Sequence, residues 1–236
     1  MTALLWTEGI TKSFGGVRAL DDCSLEVEEG SITGLIGPNG SGKTTLFNVI
    51  TGYAKADAGA VYLGGRRITN ASPDKVFNAG IGRTFQLTRI FPTLTVLENM
   101  LVPSKTKGKH HALEQLEFVG IARHHDQLAG TLSYGQRKLL ELAYVLVADP
   151  AVILLDEPAG GVNPTLIGQI AGRIAELNRT RRKTFLIVEH NMEFVMGLCA
   201  KVAVLDAGTV VASGPPDIIR TDPRVLDAYL GVDVDV

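Results

Sequence analysis

Apolar residues in this chain fall into short continuous runs, and the clearest of them end in glycine or in acidic residues. Ser31-Ile32-Thr33-Gly34-Leu35-Ile36 reads as a buried strand feeding a glycine-rich turn. Residues 44–51 predict a helix, with Leu46, Val49 and Ile50 at helical spacing. Ala151-Val152-Ile153-Leu154-Leu155 predicts a second strand that runs into carboxylates, and Thr184-Phe185-Leu186-Ile187-Val188 a third that ends at Glu189 and His190. Continuous Val/Ile/Leu runs separated by helical stretches are the pattern of a parallel sheet covered on both faces. Residues 164–179 supply one crossover helix, with Leu166, Ile170, Ile174 and Leu177 on a single face.

Other segments follow a different rhythm. Leu25-Glu26-Val27-Glu28 and Val61-Tyr62-Leu63 alternate or sit among glycines, which predicts antiparallel strands with one wet face. Between about residues 87 and 148 the pattern becomes helical, predicting a helical insertion in an α/β core. Near its middle, Lys105-Thr106-Lys107-Gly108-Lys109-His110-His111 reads as an exposed basic loop with a solvated face. No internal repeat or low-complexity linker divides the chain, so one unit with two lobes is expected.

Composition narrows this picture. The 236 residues are 45% hydrophobic and 20% charged, with a formal net charge of -2, which excludes disorder and gives no bulk attraction to nucleic acid. Residues 1–11 lack a basic segment followed by an apolar one, so no signal peptide is expected. The most apolar stretch, residues 139–155, is broken by Glu141, Asp149 and Pro150 and falls short of the about 20 apolar residues that span a bilayer. Cys23 and Cys199 share no motif spacing, so buried, reduced thiols in a reducing compartment are expected. His110-His111 and His124-His125 have no acidic or cysteine partners at ligand spacing, so no metal site is expected there.

The candidate chemistry begins with Gly37-Pro38-Asn39-Gly40-Ser41-Gly42-Lys43-Thr44-Thr45, which matches the phosphate-binding pattern G-x-x-x-x-G-K-[ST] between a predicted strand and a predicted helix. Small residues let successive backbone N–H groups approach phosphate oxygens, and the helix N-terminus adds partial positive charge. In this pattern Lys43 reaches the β- and γ-phosphates of a bound triphosphate and the Thr44 hydroxyl ligates Mg²⁺. Leu154-Leu155-Asp156-Glu157-Pro158 supplies the partner acids: Asp156 for Mg²⁺, and Glu157 to polarise an attacking water.

At this point the chain resembles one family. Leu132-Ser133-Tyr134-Gly135-Gln136-Arg137 looks like the signature of the ATP-binding cassette (ABC) ATPases, usually Leu-Ser-Gly-Gly-Gln, placed as in that family ahead of the acidic strand. The resemblance implies a P-loop ATPase core with an antiparallel β subdomain (about 1–86 and 149–236) and an inserted α-helical subdomain (about 87–148), forming one nucleotide-binding domain. It also implies that Gln86, in Arg83-Thr84-Phe85-Gln86, senses Mg²⁺ and the attacking water. By the same carry-over His190 is the switch histidine holding that water in line, and Phe14 stacks on adenine. Ser133, Gly135 and Gln136, at the start of a helix predicted over 134–147, form a second anion site. One chain cannot fold both anion sites onto one phosphate in this architecture. A head-to-tail dimer is therefore implied, with ATP between the phosphate loop of one subunit and the signature of the other.

Three departures from the family pattern stand out: Tyr134 for the first signature glycine, Phe14 for the commoner tyrosine, and Asn163 where many cassettes have aspartate. Glu189 stands where threonine is commoner before the histidine. Together with Gly161-Val162-Asn163-Pro164, Ala207-Gly208 and Ala228-Tyr229-Leu230-Gly231, this is similar to the importers of branched-chain amino acids, which include urea and amide systems. The implied partners are transmembrane permease subunits, a second cassette of the same or a different kind, and a separate solute-binding protein, with no nucleic acid. The implied location is cytoplasmic, peripheral on the inner face of the cell membrane. Two rivals remain. One is a soluble cassette acting on DNA or ribosomes, for which the usual paired cassettes, coiled coil or basic surface are not seen. The other is an exporter cassette, often fused to a membrane domain that is not read here.

Overall fold

The structure is a computed structural model that describes residues 2–85, 89–103 and 108–230. In chain order its first half comprises β1 (Ala3–Phe14), β2 (Val17–Glu28), β3 (Ile32–Ile36), α1 (Lys43–Ile50), β4 (Ala58–Leu63), β5 (Arg66–Arg67), α2 (Pro73–Ala79), β6 (Ile81–Arg83), α3 (Val96–Leu101) and α4 (Gly108–Val119). Next come α5 (Tyr134–Val147), β7 (Val152–Asp156), α6 (Pro164–Arg181), β8 (Thr184–Val188), α7 (Met192–Leu198) and β9 (Lys201–Asp206). The chain continues through β10 (Thr209–Gly214), α8 (Pro216–Ile219) and α9 (Pro223–Leu230).

Among the described residues these strands form two sheets. One has the order β10-β9-β3-β8-β7-β6 and is parallel except for the β9–β10 hairpin; the other is antiparallel, in the order β2-β1-β4-β5. The apolar runs of β7 and β8 are continuous because both faces of the sheet are covered. Ile153, Leu155, Phe185 and Ile187 point into a core shared with α5, α6 and α7. Their neighbours Val152, Leu154, Leu186 and Val188 point the other way, into a core shared with α1 and the antiparallel sheet. The consequence for chemistry is positional. β3, β8 and β7 are adjacent and parallel, so the segments that follow them emerge side by side at one edge of the sheet, the usual place for a ligand in such folds.

Several elements differ from the sequence expectation. β1 and β2 run twelve residues each, of which the alternation marked residues 25–28 of β2 and nothing of β1, because register shifts near Thr7–Ile10 and Lys12 break a strict period of two. The described part of the basic segment, from Gly108 onward, is the first turn of α4 and not loop; Lys105, Thr106 and Lys107 lie outside the described residues. Helix α5 starts at Tyr134 because Ser133 and Gln136 form a capping box. The Gln136 N–H donates to Ser133 Oγ at 3.3 Å, and the Ser133 N–H donates to Gln136 Oε1 at 2.9 Å.

Cys23 and Cys199 are both buried and free, and burial pushes each thiol up to about 12. Thiolate is the reactive form, so neither is expected to react appreciably with a disulfide reagent such as DTNB at pH 8 in the native protein. Both should titrate once guanidinium unfolds the chain. A fast-reacting thiol in the native state would mean that one of these packing sites opens.

Candidate active site

The segment after β3 turns back on itself through positions where only glycine fits. A Cβ on Gly37 would meet the carbonyl oxygen of Leu205 at 2.0 Å, and one on Gly42, at φ 107°, would meet that of Ala19 at 2.5 Å. Gly42 also sits at the N-cap of α1, its carbonyl accepting the Leu46 N–H at 2.8 Å. Asn39, Gly40 and Thr44 are exposed, Thr45 is half-buried and Ser41 is buried. Lys43 is curled into the loop, where its ammonium donates to the carbonyls of Gly37 (2.8 Å) and Pro38 (2.7 Å) and to Ser41 Oγ (3.3 Å). Burial lowers the Lys43 pKa, and the carboxylates of Glu157 and Asp156 act in the opposite direction. A polyphosphate offers this ammonium charged acceptors in place of neutral carbonyls.

The carboxylates are set by the neighbouring strands. Asp156 closes β7 and is buried, its Oδ2 accepting from Arg83 Nη2 at 2.9 Å and its N–H donating to Thr84 Oγ1 at 3.1 Å. Glu157 adopts a left-handed backbone at φ 50°. Its N–H donates to the Val188 carbonyl at 2.9 Å, and its own carbonyl accepts from the Gly160 N–H at 3.1 Å and from Lys138 Nζ at 3.3 Å. His190 follows β8 and is well exposed, with Nδ1 3.9 Å from Glu157 Oε1. Lys43, the Asp156–Glu157 pair and His190, from three segments distant in sequence, thus meet at the edge formed by β3, β7 and β8.

The remaining sequence candidates lie elsewhere. Ser133, Gly135 and Gln136 line a separate cleft of about 730 Å³ with Arg123, His124 and Asn163, and none of the phosphate-loop residues lines it. Phe14 ends β1 as an exposed ring with Lys12 Nζ 5.2 Å from its centroid, so it is no core aromatic. Gln86 lies outside the described residues. Tyr134 directs its hydroxyl to the Gly160 carbonyl at 3.3 Å, and Asn163 caps α6 by accepting the Leu166 N–H at 2.9 Å, a bond aspartate can also make. Among the described residues no group of three or more His, Cys, Asp or Glu could hold a metal ion by itself.

Arg83, Lys138 and Tyr229 were not singled out from sequence. Arg83 orients Asp156, and Lys138 reaches the Glu157 carbonyl from α5. Burial raises the pKa of Tyr229, on α9, and the Gly37 N–H acts in the opposite direction. Nothing local marks the first two. The Ala-Tyr-Leu-Gly segment containing Tyr229 marks the subfamily in sequence and not the site.

Residues 20–160 match the ABC transporter family, and residues 209–235 match the branched-chain amino acid ATP-binding cassette transporter family. The chain is 37% identical to the high-affinity branched-chain amino acid transport ATP-binding protein LivG of Salmonella typhimurium, over 97% of this chain and 98% of that one. A probable branched-chain amino acid transport ATP-binding protein LivG of Methanocaldococcus jannaschii is 38% identical, over 97% of each chain. Among solved structures, the ADP conformation of MJ1267, an ATP-binding cassette of an ABC transporter, aligns with a TM-score of 0.90 at 37% identity, covering 98% of this chain and 100% of that one. The dimeric structure of MJ0796, a bacterial ABC transporter cassette, aligns with a TM-score of 0.83 at 27% identity, covering 90% and 98%.

Proposed function

The chain belongs to the ATP-binding cassettes of ABC transporters, and from that premise we propose that it hydrolyses ATP to drive an importer of branched-chain amino acids or related small polar solutes. The observation that carries the chemistry is the convergence of Lys43, Asp156, Glu157 and His190 on one sheet edge. The substrate class rests on likeness to the LivG proteins over almost the whole chain.

In this reading the N–H groups of residues 39–45 and the Lys43 ammonium bind the phosphates, and Phe14 stacks on adenine. Glu157 accepts a proton from, or orients, the water that attacks the γ-phosphate, and His190 fixes that water in line. Thr44 and Asp156 offer a hydroxyl and a carboxylate, the oxygen donors that Mg²⁺ favours, and Gln86 is the third proposed ligand. A protein shell this small leaves most positions to phosphate and water, as suits Mg²⁺. When bound with ATP, the ion neutralises charge on the β- and γ-phosphates.

Ser133, Gly135 and Gln136 serve the ATP of a partner cassette, identical or different, because their cleft lies apart from the phosphate loop. A cassette of this fold has been solved as a dimer, which supports that assembly. Residues 87–148 act as the helical subdomain, and residues 1–86 with 149–236 as the ATPase core. A cleft of about 470 Å³, lined by Tyr53, Phe85, Arg89, Phe91, Glu141 and Tyr144, lies beside Arg83 and is the proposed seat of a permease subunit. Among the described residues no helix is long and apolar enough to cross a membrane. Likeness to transport ATP-binding proteins supports a peripheral place on the cytoplasmic face, with the permease as the lipid-spanning part. A separate solute-binding protein completes the proposed system, and the net charge of -2 argues against nucleic acid as partner.

The test is an affinity capture of tagged Glu157→Gln protein from detergent-solubilised membranes in the presence of ATP, followed by peptide identification. Two multi-spanning permease subunits and a second cassette are expected. Recovery of ribosomal or DNA-repair proteins without membrane partners would overturn the transporter assignment and leave an ATPase.

A further inference from the structure

We propose that Glu189 is a positioning residue that sets Glu157 and His190 against each other; the proposal rests on the ATPase reading of those two side chains. Glu189 follows β8 and is only 1% exposed. Its Oε1 accepts the Ala159 N–H at 2.6 Å, and its Oε2 accepts the N–H groups of His190 at 3.0 Å and Asn191 at 3.1 Å. A buried carboxylate is costly unless it is hydrogen-bonded, and here three backbone donors compensate it. Those donors come from two different segments, one following β7 and the other following β8.

The placement of these bonds matters more than their number. Glu157 is fixed on its N-terminal side by donating to Val188, the last residue of β8. Two residues later, Ala159 is fixed to Glu189, the next residue along that same segment. The left-handed turn at Glu157 is therefore bracketed by two bonds to adjacent residues of the neighbouring strand end. His190 takes its backbone position from the same carboxylate, so a single buried group fixes both partners of the 3.9 Å Glu157–His190 approach. The commoner threonine has one oxygen on a shorter side chain and cannot receive all three donors.

None of this touches the phosphate loop. If Glu189 positions the reacting side chains, its loss lowers turnover and spares nucleotide binding, because catalysis is sensitive to misplacements of about 1 Å that binding tolerates. The test compares Glu189→Gln with the parent full-length chain, at concentrations that allow dimerisation, measuring kcat and KM for ATP and the Kd for a fluorescent ATP analogue. Glutamine keeps the shape but must turn its amide donors toward N–H groups, so the array cannot be satisfied. A fall in kcat of about tenfold or more is expected, with KM and Kd within about twofold. On a His190→Ala background, Glu189→Gln should add much less than this, since it acts in part through His190.

Retained turnover within twofold for Glu189→Gln, while Glu157→Gln is inactive, overturns the proposal alone. So does a full, additive loss on the His190→Ala background together with weakened nucleotide binding. Near parental turnover of Glu157→Gln removes Glu157 from the catalytic role and the proposal with it. Where Glu189→Gln fails to fold, Glu189→Asp carries the same comparison, since its carboxylate keeps the charge but is one methylene short of Ala159.

Discussion

Glu157→Gln is expected to bind ATP normally and to lose at least about a hundredfold in hydrolysis, the lower range for removing a general base. Glutamine is nearly isosteric, so the left-handed backbone at φ 50° and its bonds to Val188, Gly160 and Lys138 are retained. What disappears is the carboxylate charge beside His190, 3.9 Å away, and with it the capacity to take a proton from water. Lys43, which holds phosphate rather than water, is unchanged in its own bonds. Phosphate release under saturating ATP, measured beside nucleotide affinity, separates the two effects. The variant should also accumulate an ATP-bound dimer in gel filtration, because the closed state is reached and not discharged. Turnover within a few-fold of the parent would falsify the assignment of Glu157.

Arg83→Met is expected to cost about 3–5 kcal/mol of stability, the range for breaking a buried ion pair from one side. The guanidinium and the Asp156 carboxylate are 2.9 Å apart, with side chains 6% and 5% exposed. Arg83 Nη1 also donates to Asn48 Oδ1 at 2.7 Å and Thr51 Oγ1 at 3.0 Å, and the guanidinium lies 4.8 Å from the Phe85 ring centroid and 5.4 Å from that of Phe47. Methionine fills much of the volume but leaves Asp156 charged and unpaired in the interior. The measurement is the denaturant midpoint and slope by circular dichroism. Adding Asp156→Asn to Arg83→Met should recover part of the loss, since the stranded charge is then gone. A single-variant loss below about 1 kcal/mol would place the pair in the class of surface ion pairs and contradict its burial.

The elements that were legible from sequence are those whose signal is local. β3, β7 and β8 could be read because burial on both faces makes their runs almost continuously apolar, with Thr33, Thr184 and the closing Asp156 as the polar exceptions. The phosphate loop could be read because its glycines, its lysine and the start of α1 form one contiguous pattern of nine residues, although the groups that exclude a side chain at Gly37 and Gly42 are the distant carbonyls of Leu205 and Ala19. β1 and β2 were largely missed because bulges break their alternation, and the early part of α4 was missed because lysine and histidine next to a glycine look like loop. Ser133 and Gln136 were recognised as a signature pair, but the capping box they form became visible only with the helix that it starts.

The sequence by itself thus determined the fold class, the family and most of the side chains proposed for catalysis, since each is marked by its immediate neighbours. Tertiary structure alone decided how those side chains are held. Arg83 and Asp156 are 73 residues apart, and Glu189 and Ala159 are 30 apart. No periodicity records such pairs, because they exist only where strands made adjacent by the parallel sheet bring their ends together. Tertiary structure also separated the signature cleft from the phosphate loop within one chain, because α5 starts on the helical side of the sheet while α1 starts at the end of β3.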